Sequence, residues 1–409
     1  MSTHRIALVS IAMLASAPAL AGGTVPDVLF LPTSARALDV SADGSLVVGV
    51  QGSGAFQWTQ ANGIVPFTGA SFSSGTNVRV AGDGSAFGLD VNDADQKMHA
   101  ARSTDGTSWD ELPVIGPSCD AFLLNFYDIN ADGSVIVGLG WVEACRAHAF
   151  RWDPVNGTVD LGSTVPGRSS RANGVNGAGD VVVGWQDLAN GTRQGARWND
   201  GVQSLFTYMA PGGQTYLCGE AQCANTAGSV VAGITLFGLS GGNAWRWEEA
   251  TDATTLLPQL PGFTGNNAIP LGMTPDGSTI VGTTGGFFIG RSAIIWIDGV
   301  AQDLKTYIES LGGSIAPYST LGTAMAISDD GRTIVGWGAG GFGEPGGWIV
   351  TLPAATCAAD LNGDGIVDGA DLGDLLAQWG NRGGAADLNG DGIVDGADLG
   401  LLLAAWGPC

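Results

Sequence analysis

Apolar and polar residues alternate along most of the chain, in short stretches that end at turn-forming residues. In the first stretch, residues 38–49, Leu-Asp-Val leads into Ser-Ala-Asp-Gly and a valine-rich segment follows. Alternation with a period of two predicts half-buried β-strands, and Asp-Gly between two strands is typical of a hairpin. Seven such copies occur, and their turn glycines are Gly44, Gly84, Gly133, Gly179, Gly228, Gly277 and Gly331.

A second strand pattern follows the hairpin in each copy, and it contains a tryptophan in most of them. Four short strands per copy, repeated seven times, predict a mainly β fold, a seven-bladed β-propeller, because each blade of such a ring buries its faces against its neighbours. An open β-solenoid is the alternative, although it would need capping units that the sequence does not show. The last copy lacks its trailing strand, and residues 25–32 supply one, so we expect the N-terminus to close the ring.

The tryptophans fall into two groups. Those in the second strand pattern of six copies are expected in the core between blades, namely Trp58, Trp152, Trp198, Trp247, Trp296 and Trp348. The less regular ones are candidates for an exposed ligand-binding face, since aromatic rings pack well on apolar ligand surfaces; they are Trp109, Trp141, Trp185 and Trp337.

The third copy reads His-Ala-Phe at residues 148–150, followed by Arg151 and Trp152. At these residues the chain resembles the extracellular HAF repeat family, which is named after that tripeptide. The resemblance covers about residues 25–353 and implies an extracellular location and a repeat architecture. It implies no reaction.

The N-terminus has the pattern of a secretory signal peptide. His4 and Arg5 precede an apolar run that ends in the small-residue cleavage pattern Ala19-Leu20-Ala21. We therefore expect a signal peptide over residues 1–21, the propeller over 22–353, a separate module over 354–409, and a protein that is secreted or attached to a cell surface. No later apolar stretch is long enough to predict a membrane span.

Charge is unevenly distributed. The chain has 39 acidic and 16 basic residues and a net charge of −23, which makes nucleic acid an unfavourable partner and favours divalent cations. Between Asp360 and Asp398 there are nine aspartates and one arginine, so this short segment is expected to be a module of its own. The even number of cysteines in an exported chain favours disulfides, with Cys119–Cys145 and Cys218–Cys223 as local pairs.

The acidic segment contains two copies of the EF-hand loop pattern, 27 residues apart. Calcium takes oxygen ligands, which alternate residues of such a loop supply, and the glycine at position 6 permits the sharp turn. We therefore predict two Ca²⁺ ions. Their ligands would be Asp360, Asn362, Asp364, Ile366 (carbonyl), Asp368 and Asp371 in the first loop, and Asp387, Asn389, Asp391, Ile393 (carbonyl), Asp395 and Asp398 in the second.

Each loop leads into a segment with helical spacing of apolar residues, which is expected to form the core of the module. The two predicted stripes are Leu372, Leu375, Leu376 and Trp379, then Leu399, Leu402, Leu403 and Trp406.

Duplicated loop-plus-helix segments with aspartate at position 12 resemble the dockerin modules of secreted, complex-forming proteins. Cys357 and the closing Gly-Pro-Cys resemble a variety bracketed by cysteines, which implies a Cys357–Cys409 disulfide. The resemblance also implies a cohesin-like domain on a scaffold or cell surface as partner. It places partner recognition at Gly369, Ala370, Ala377 and Gln378, and at Gly396, Ala397, Ala404 and Ala405.

For the propeller the sequence predicts binding of a protein or glycan and no catalytic residues, because most of its aspartates lie in Asp-Gly turns. The alternative is a polysaccharide-degrading enzyme, a glycoside hydrolase or lyase, since dockerins are commonly the tails of such enzymes.

Overall fold

The computed structural model describes residues 25–72, 77–117, 119, 122–235, 242–261, 268–284, 292–339, 346–353, 358–363 and 365–408. The predicted signal peptide lies outside this part of the chain, as do Cys357, Asp364 and Cys409. None of the helices in these ranges is long and apolar enough to cross a membrane.

Seven four-stranded antiparallel sheets follow one another along the chain. Strand β1 (Asp27–Phe30) comes first and joins the last of these sheets. The first blade contains β2 (Ala35–Val40), β3 (Val47–Gln51), β4 (Gly54–Thr59) and β5 (Gly63–Pro66). The second contains β6 (Val78–Val80), β7 (Phe87–Asn92), β8 (Met98–Ser103) and β9 (Asp110–Glu111). The third contains β10 (Leu124–Ile129), β11 (Ile136–Val142), β12 (Arg146–Asp153) and β13 (Gly157–Gly162).

The remaining blades repeat this order. The fourth contains β14 (Ser170–Val175), β15 (Val181–Asp187), β16 (Arg193–Asn199) and β17 (Val202–Leu205), and a hairpin of β18 (Thr207–Met209) and β19 (Thr215–Leu217) follows it. The fifth contains β20 (Ala221–Ala224), β21 (Val230–Ile234), β22 (Ala244–Glu248) and β23 (Ala253–Leu256). The sixth contains β24 (Ile269–Met273), β25 (Thr279–Thr284), β26 (Ser292–Ile297) and β27 (Val300–Asp303), followed by helix α1 (Leu304–Ser310). The seventh contains β28 (Leu321–Ile327), β29 (Thr333–Ala339) and β30 (Gly347–Thr351).

The N-terminal strand closes the ring, as the sequence predicts. Strand β1 pairs antiparallel with β30, with Phe30 opposite Trp348 and Asp27 opposite Thr351. Backbone hydrogen bonds between the inner turns of neighbouring blades complete the closure, since Asp329 N of the seventh blade donates to Ala42 O of the first at 2.9 Å. The first strand of each blade contacts the first strand of the next, so these strands form the innermost layer.

The glycines of the repeat have two separate functions. All seven turn glycines have a positive φ, between 68° and 80°, which L-residues rarely adopt. A glycine in the second strand instead makes room for an aromatic ring. A Cβ on Gly336 would lie 2.0 Å from Thr323 O and 2.4 Å from the Trp348 ring.

The predicted core tryptophans are buried at Trp58, Trp198, Trp247, Trp296 and Trp348, whereas Trp152 is only half-buried. The strand register corrects the position assigned to Trp348 within the repeat. Trp348 pairs with Gly336, just as Phe56 pairs with Gly49, so Trp348 is equivalent to Phe56 and not to Trp58.

The cysteines bear out one predicted local pair and contradict the other. Cys119 and Cys145 form a disulfide with their Cα atoms 5.0 Å apart. Cys218 and Cys223 are free thiols. Cys218 belongs to the apolar cluster around Trp245, while Cys223 packs against the next cluster, around Trp296, so the two side chains serve different inter-blade cores. The predicted Cys357–Cys409 pair lies outside the described residues.

The C-terminal module consists of β31 (Ile366–Val367), α2 (Gly369–Ala377), α3 (Gly396–Ala404) and β32 (Gly407–Pro408). Its buried core contains Ala359, Val367, Leu375, Ala386, Val394 and Leu402, with Leu372 and Leu399 beside it. The predicted stripes are wrong at their outer ends. Leu376, Trp379, Leu403 and Trp406 are about half exposed, because each helix ends before its tryptophan and the buried line follows Leu375 and Leu402.

Candidate functional site

The two predicted calcium loops have matching local geometry. Positions 4 and 6 of both loops are glycines with positive φ, at Gly363 and Gly365 and at Gly390 and Gly392. Position 9 caps the following helix in both loops, since the carboxylates of Asp368 and Asp395 accept from Ala370 N and Ala397 N. The side chains of Ile366 and Ile393, whose carbonyl groups are predicted ligands, are about half exposed.

The position-12 carboxylates are buried and tied to their own loops. Asp371 accepts from Leu361 N at 2.8 Å and Asp368 N at 2.8 Å, and these amides hold the pKa of Asp371 below its usual value. Asp398 accepts from Asn389 N at 3.1 Å and Asp395 N at 2.8 Å, and its pKa is lowered for the same reason.

At position 1 the two loops differ. Asp360 accepts from Gly363 N and Gly365 N, each at 2.8 Å. Asp387 accepts from Gly392 N at 3.0 Å through Oδ2, whereas its Oδ1 is buried and has no hydrogen-bond partner among the described residues.

In the second loop Asn389 donates to Asp391 at 3.0 Å, so that these predicted ligands contact each other. Within the described ranges no group of three or more His, Cys, Asp or Glu side chains converges in a metal-binding arrangement. The carboxylates instead satisfy loop amides. In the first loop, Asp364 lies outside the described residues, and Asn362 is exposed.

The predicted partner-binding positions lie at the surface of the module. Gly369, Ala370 and Ala377 are exposed on α2, as are Gly396, Ala397, Ala404 and Ala405 on or beside α3. Gln378 is half-buried and donates to Asp374 O at 3.2 Å. The half-exposed Leu376 and Trp379, both predicted to lie in the core, adjoin these small residues at the end of α2.

In each blade of the propeller, the first residues of the innermost strand pair with the last residues of the second strand. Together these residues of all blades surround one opening of the central channel. Arg36 pairs with Val50 at this position, Asn125 with Leu139, Arg171 with Trp185 and Thr323 with Trp337. We call this end the channel mouth. Its polar residues occupy one repeat position, a periodicity that inspection of the turns and tryptophans alone does not reveal.

Arginines at the channel mouth stack on two of the tryptophans that were predicted to be exposed. Trp185 is only 4% exposed, which contradicts the prediction of an exposed ring, because Arg171 and Arg193 stack on it with centroid distances of 5.2 and 4.0 Å. Trp337 is half-buried, and Arg36 lies 4.7 Å above its ring.

The other two predicted tryptophans are also half-buried. Trp141 donates to Asn125 at 3.3 Å, which places it beside the channel mouth. Trp109 donates to Thr68 O at 2.9 Å and packs against Phe67 and Phe72, so its ring is part of the second blade's packing.

One carboxylate holds the two arginines around Trp185. Glu220 accepts from Arg171 at 2.8 Å and also pairs with Arg193. Arg171 further stacks on Tyr127 at 4.8 Å. Arg193 also lies 3.8 Å from Asp187, so two carboxylates compensate the two arginines on this side of the mouth.

A cavity of about 540 Å³ opens at the mouth beside the first three blades. Its polar lining is Arg36, Asn77, Asp90 and Asn125, and its apolar lining is Leu38, Val50, Met98, Phe122, Phe126 and Tyr127. The disulfide supports this wall, because Cys119 and Phe122 exchange two backbone hydrogen bonds of 3.0 Å.

Asp90 is the carboxyl group among the described residues of this cavity, and it is 3% exposed. Burial raises the pKa of Asp90 to about 8, although Phe126 N donates to it at 2.7 Å. The group is therefore mostly protonated and uncharged at pH 7.

Deeper in the ring, Asp39, Arg79 and Asp128 occupy equivalent positions of the first three blades. Asp39 accepts from Val80 N at 3.0 Å, Asp128 accepts from Val175 N at 2.9 Å, and Arg79 donates to Leu38 O at 2.6 Å. Burial raises the pKa of Asp128 to about 7 against the opposing charge of Arg79. The three side chains link neighbouring blades.

Seven four-stranded blades closed by the N-terminal strand define a β-propeller. No family model matches the chain, and no curated protein matches it. Among solved structures it is similar to an oligogalacturonate lyase in complex with manganese, with 12% identity and a TM-score of 0.50 over 80% of this chain and 97% of that chain.

Two further similar structures are the putative TolB from Agrobacterium tumefaciens and TolB from Acinetobacter baumannii. The first has 9% identity and a TM-score of 0.41 over 79% of this chain and 91% of that chain. The second has 11% identity and a TM-score of 0.40 over 65% of this chain and 61% of that chain. At such identities, similarity concerns the fold alone.

Proposed function

We propose that this is an exported binding protein with a calcium-dependent attachment module. In this proposal the propeller binds a glycan at the channel mouth, and the dockerin-like module joins it to a cohesin-like partner or surface scaffold. The observation that carries the attachment function is the duplicated loop and capped helix, in which Asp387 Oδ1 is buried without a partner.

The donor types in the second loop support binding of a divalent cation, although in this structure the carboxylates accept hydrogen bonds from loop amides. A buried carboxylate oxygen without a hydrogen-bond partner is costly, and a cation would compensate it. Oxygen side chains at Asp387, Asn389, Asp391 and Asp398 are the ligand type that calcium prefers. Bound calcium would supply charge neutralisation and crosslink the loop, while the chain's own amides orient Asp398.

An exposed apolar surface supports docking on the helices. Leu376 and Trp379 on one repeat correspond to Leu403 and Trp406 on the other, and all four are 47–52% exposed. Large exposed apolar side chains next to small residues leave room for close approach of another protein.

The glycan function rests on the cavity at the channel mouth. Its volume is in the range of small-molecule sites, and its walls combine apolar surface with fixed amides. Hydrolysis of a glycosidic bond ordinarily uses two carboxyl groups, and among the described residues that line the cavity Asp90 is the single carboxyl group. For this cavity we therefore favour glycan binding over glycoside hydrolysis.

Calcium titration of the full-length protein by calorimetry tests the attachment module. We expect two ions per chain, one in Asp387→Asn, one in Asp360→Asn and none in the double variant, with loss of cohesin-like partner capture in the double variant. Asp110→Asn, an exposed aspartate on an outer strand, is the matched control. Two ions bound by the double variant would contradict the assignment.

A glycan array with the calcium-loaded protein tests the propeller, and a reducing-end assay on the same glycans tests the enzyme alternative. We expect glycan binding without release of reducing ends. Release that disappears in Asp90→Asn would establish the enzyme instead.

A further inference from the structure

The charge at the channel mouth distinguishes one class of ligand. Among the described residues that line the cavity, Arg36 is the one cationic side chain, and Asp90 is largely neutral at pH 7. The cavity thus has a local positive charge in a chain whose net charge is −23. Distant surface charges are screened beyond about 8 Å at physiological ionic strength, so the nearby guanidinium determines that this cavity attracts an anion.

Arg36 is prepared to bind an anion. Its guanidinium lies 4.7 Å above the Trp337 ring, which restricts its orientation, and the residue is exposed. Within the described part of the chain no carboxylate forms an ion pair with Arg36, whereas Arg171 and Arg193 share Glu220. A planar guanidinium with free donors matches a carboxylate in a bidentate manner.

The rest of the cavity fits a sugar ring. Asn77 donates to Tyr127 O at 3.3 Å and Asn125 accepts from Trp141 at 3.3 Å, so both amides are fixed while each retains hydrogen-bonding capacity. Phe122, which is 40% exposed, and the half-buried Tyr127 supply aromatic surface for the apolar face of a pyranose.

We propose that the channel-mouth cavity binds a carboxylated sugar, a uronic acid residue of an acidic glycan, with Arg36 as the partner of its carboxylate. This inference rests on the proposed glycan function and specifies its ligand class. An extended peptide is typically bound along a groove or a sheet edge, whereas this cavity of about 540 Å³ has the size of a small-molecule site.

Calorimetry on the full-length protein with D-glucuronate, D-glucose and a short acidic peptide tests the proposal. We expect glucuronate to bind at least tenfold more tightly than glucose and the peptide. Arg36→Gln should weaken glucuronate binding by about 10- to 100-fold, the effect of a charge-assisted hydrogen bond, and leave glucose binding unchanged. Arg36→Lys, which keeps the positive charge, should bind glucuronate more tightly than Arg36→Gln does.

The matched control is Arg382→Gln, which removes an exposed arginine of the C-terminal module. Circular dichroism of each variant shows whether the propeller is folded. Equal binding of glucuronate and glucose, unaffected by Arg36→Gln, would overturn the inference while the glycan function stands. Binding of no sugar on the array would refute the glycan function itself. Tighter binding of the acidic peptide than of glucuronate would show that the ligand is a peptide and not a sugar.

Discussion

Asp90 links the chemistry of the cavity to the stability of the ring. It is 3% exposed, and burial raises its pKa to about 8 from an ordinary value near 4. Between these two pKa values the folded chain holds a proton that the unfolded chain has released. Stability therefore falls as pH rises from about 4 to about 8.

Asp90→Asn is expected to remove the contribution of this group to the pH dependence and to leave that of Asp128, because the amide can still accept from Phe126 N and cannot ionise. Each pKa unit corresponds to about 1.4 kcal/mol, so the free energy of unfolding of the variant should improve relative to the native protein by on the order of 3–5 kcal/mol between pH 4 and pH 9. Urea unfolding followed by tryptophan fluorescence at both pH values measures it. Asp110→Asn serves as control, and parallel pH curves for native protein and Asp90→Asn would contradict the assignment.

At the scale of single elements, only part of the apolar stripe predicted for α2 and for α3 is buried in the core of the module. Leu375 and Leu402 are fully buried, whereas Trp379 and Trp406 lie beyond the helix ends and are 47% and 50% exposed. The exposed tryptophans contribute little to the core of the module and are available to a partner.

The double variant Trp379→Ala/Trp406→Ala should reduce cohesin-like partner capture by tenfold or more, since exposed aromatic anchors carry much of the energy of an interface. The unfolding of the calcium-loaded module should change little. Leu375→Ala is the contrasting variant, and it should destabilise the module by about 2–5 kcal/mol through a core cavity. Pull-down and thermal unfolding measure the two effects, and unchanged capture by the tryptophan variant would exclude these side chains from the interface.

Local patterns predicted the elements well because the information is local. Asp-Gly turns, β-branched strands and capped helices are set by neighbouring residues, and the structure contains them at the predicted places. The burial of Trp185 and the exposure of Trp379 could not be predicted in this way. Trp185 is covered by Arg171 from a neighbouring strand and Arg193 across a turn, and such contacts exist only after the sheet has formed.

At the scale of the whole molecule, the channel mouth combines residues that the sequence keeps far apart. Arg36 of the first blade stacks on Trp337 of the seventh, and the cavity wall draws on the first three blades. The sequence indicates the number of blades, and ring closure then decides which side chains meet. No repeat signature distinguishes Arg36 from an ordinary surface arginine, and so the cavity could not be anticipated.

Deletion of residues 25–32 should open this ring. The deletion leaves β30 as an unpaired edge strand, which favours association between molecules. We expect oligomers or aggregates in size-exclusion chromatography and a lower unfolding temperature. A synthetic peptide of residues 25–32, added in trans, should reduce the association by pairing with β30. A deletion variant that stays monomeric and unfolds like the native protein would show that β1 is dispensable.

The pairing of Phe30 with Trp348 also has a consequence for the order in which the protein is made. The strand that leaves the ribosome first must wait for the strand that completes the seventh blade, so the ring cannot close until nearly the whole propeller has been synthesised. A chain that stops after the sixth blade retains a strand without a partner and an open sheet edge. Incomplete products are thus structurally distinct from finished ones, because only they expose a strand without a partner and an open sheet edge.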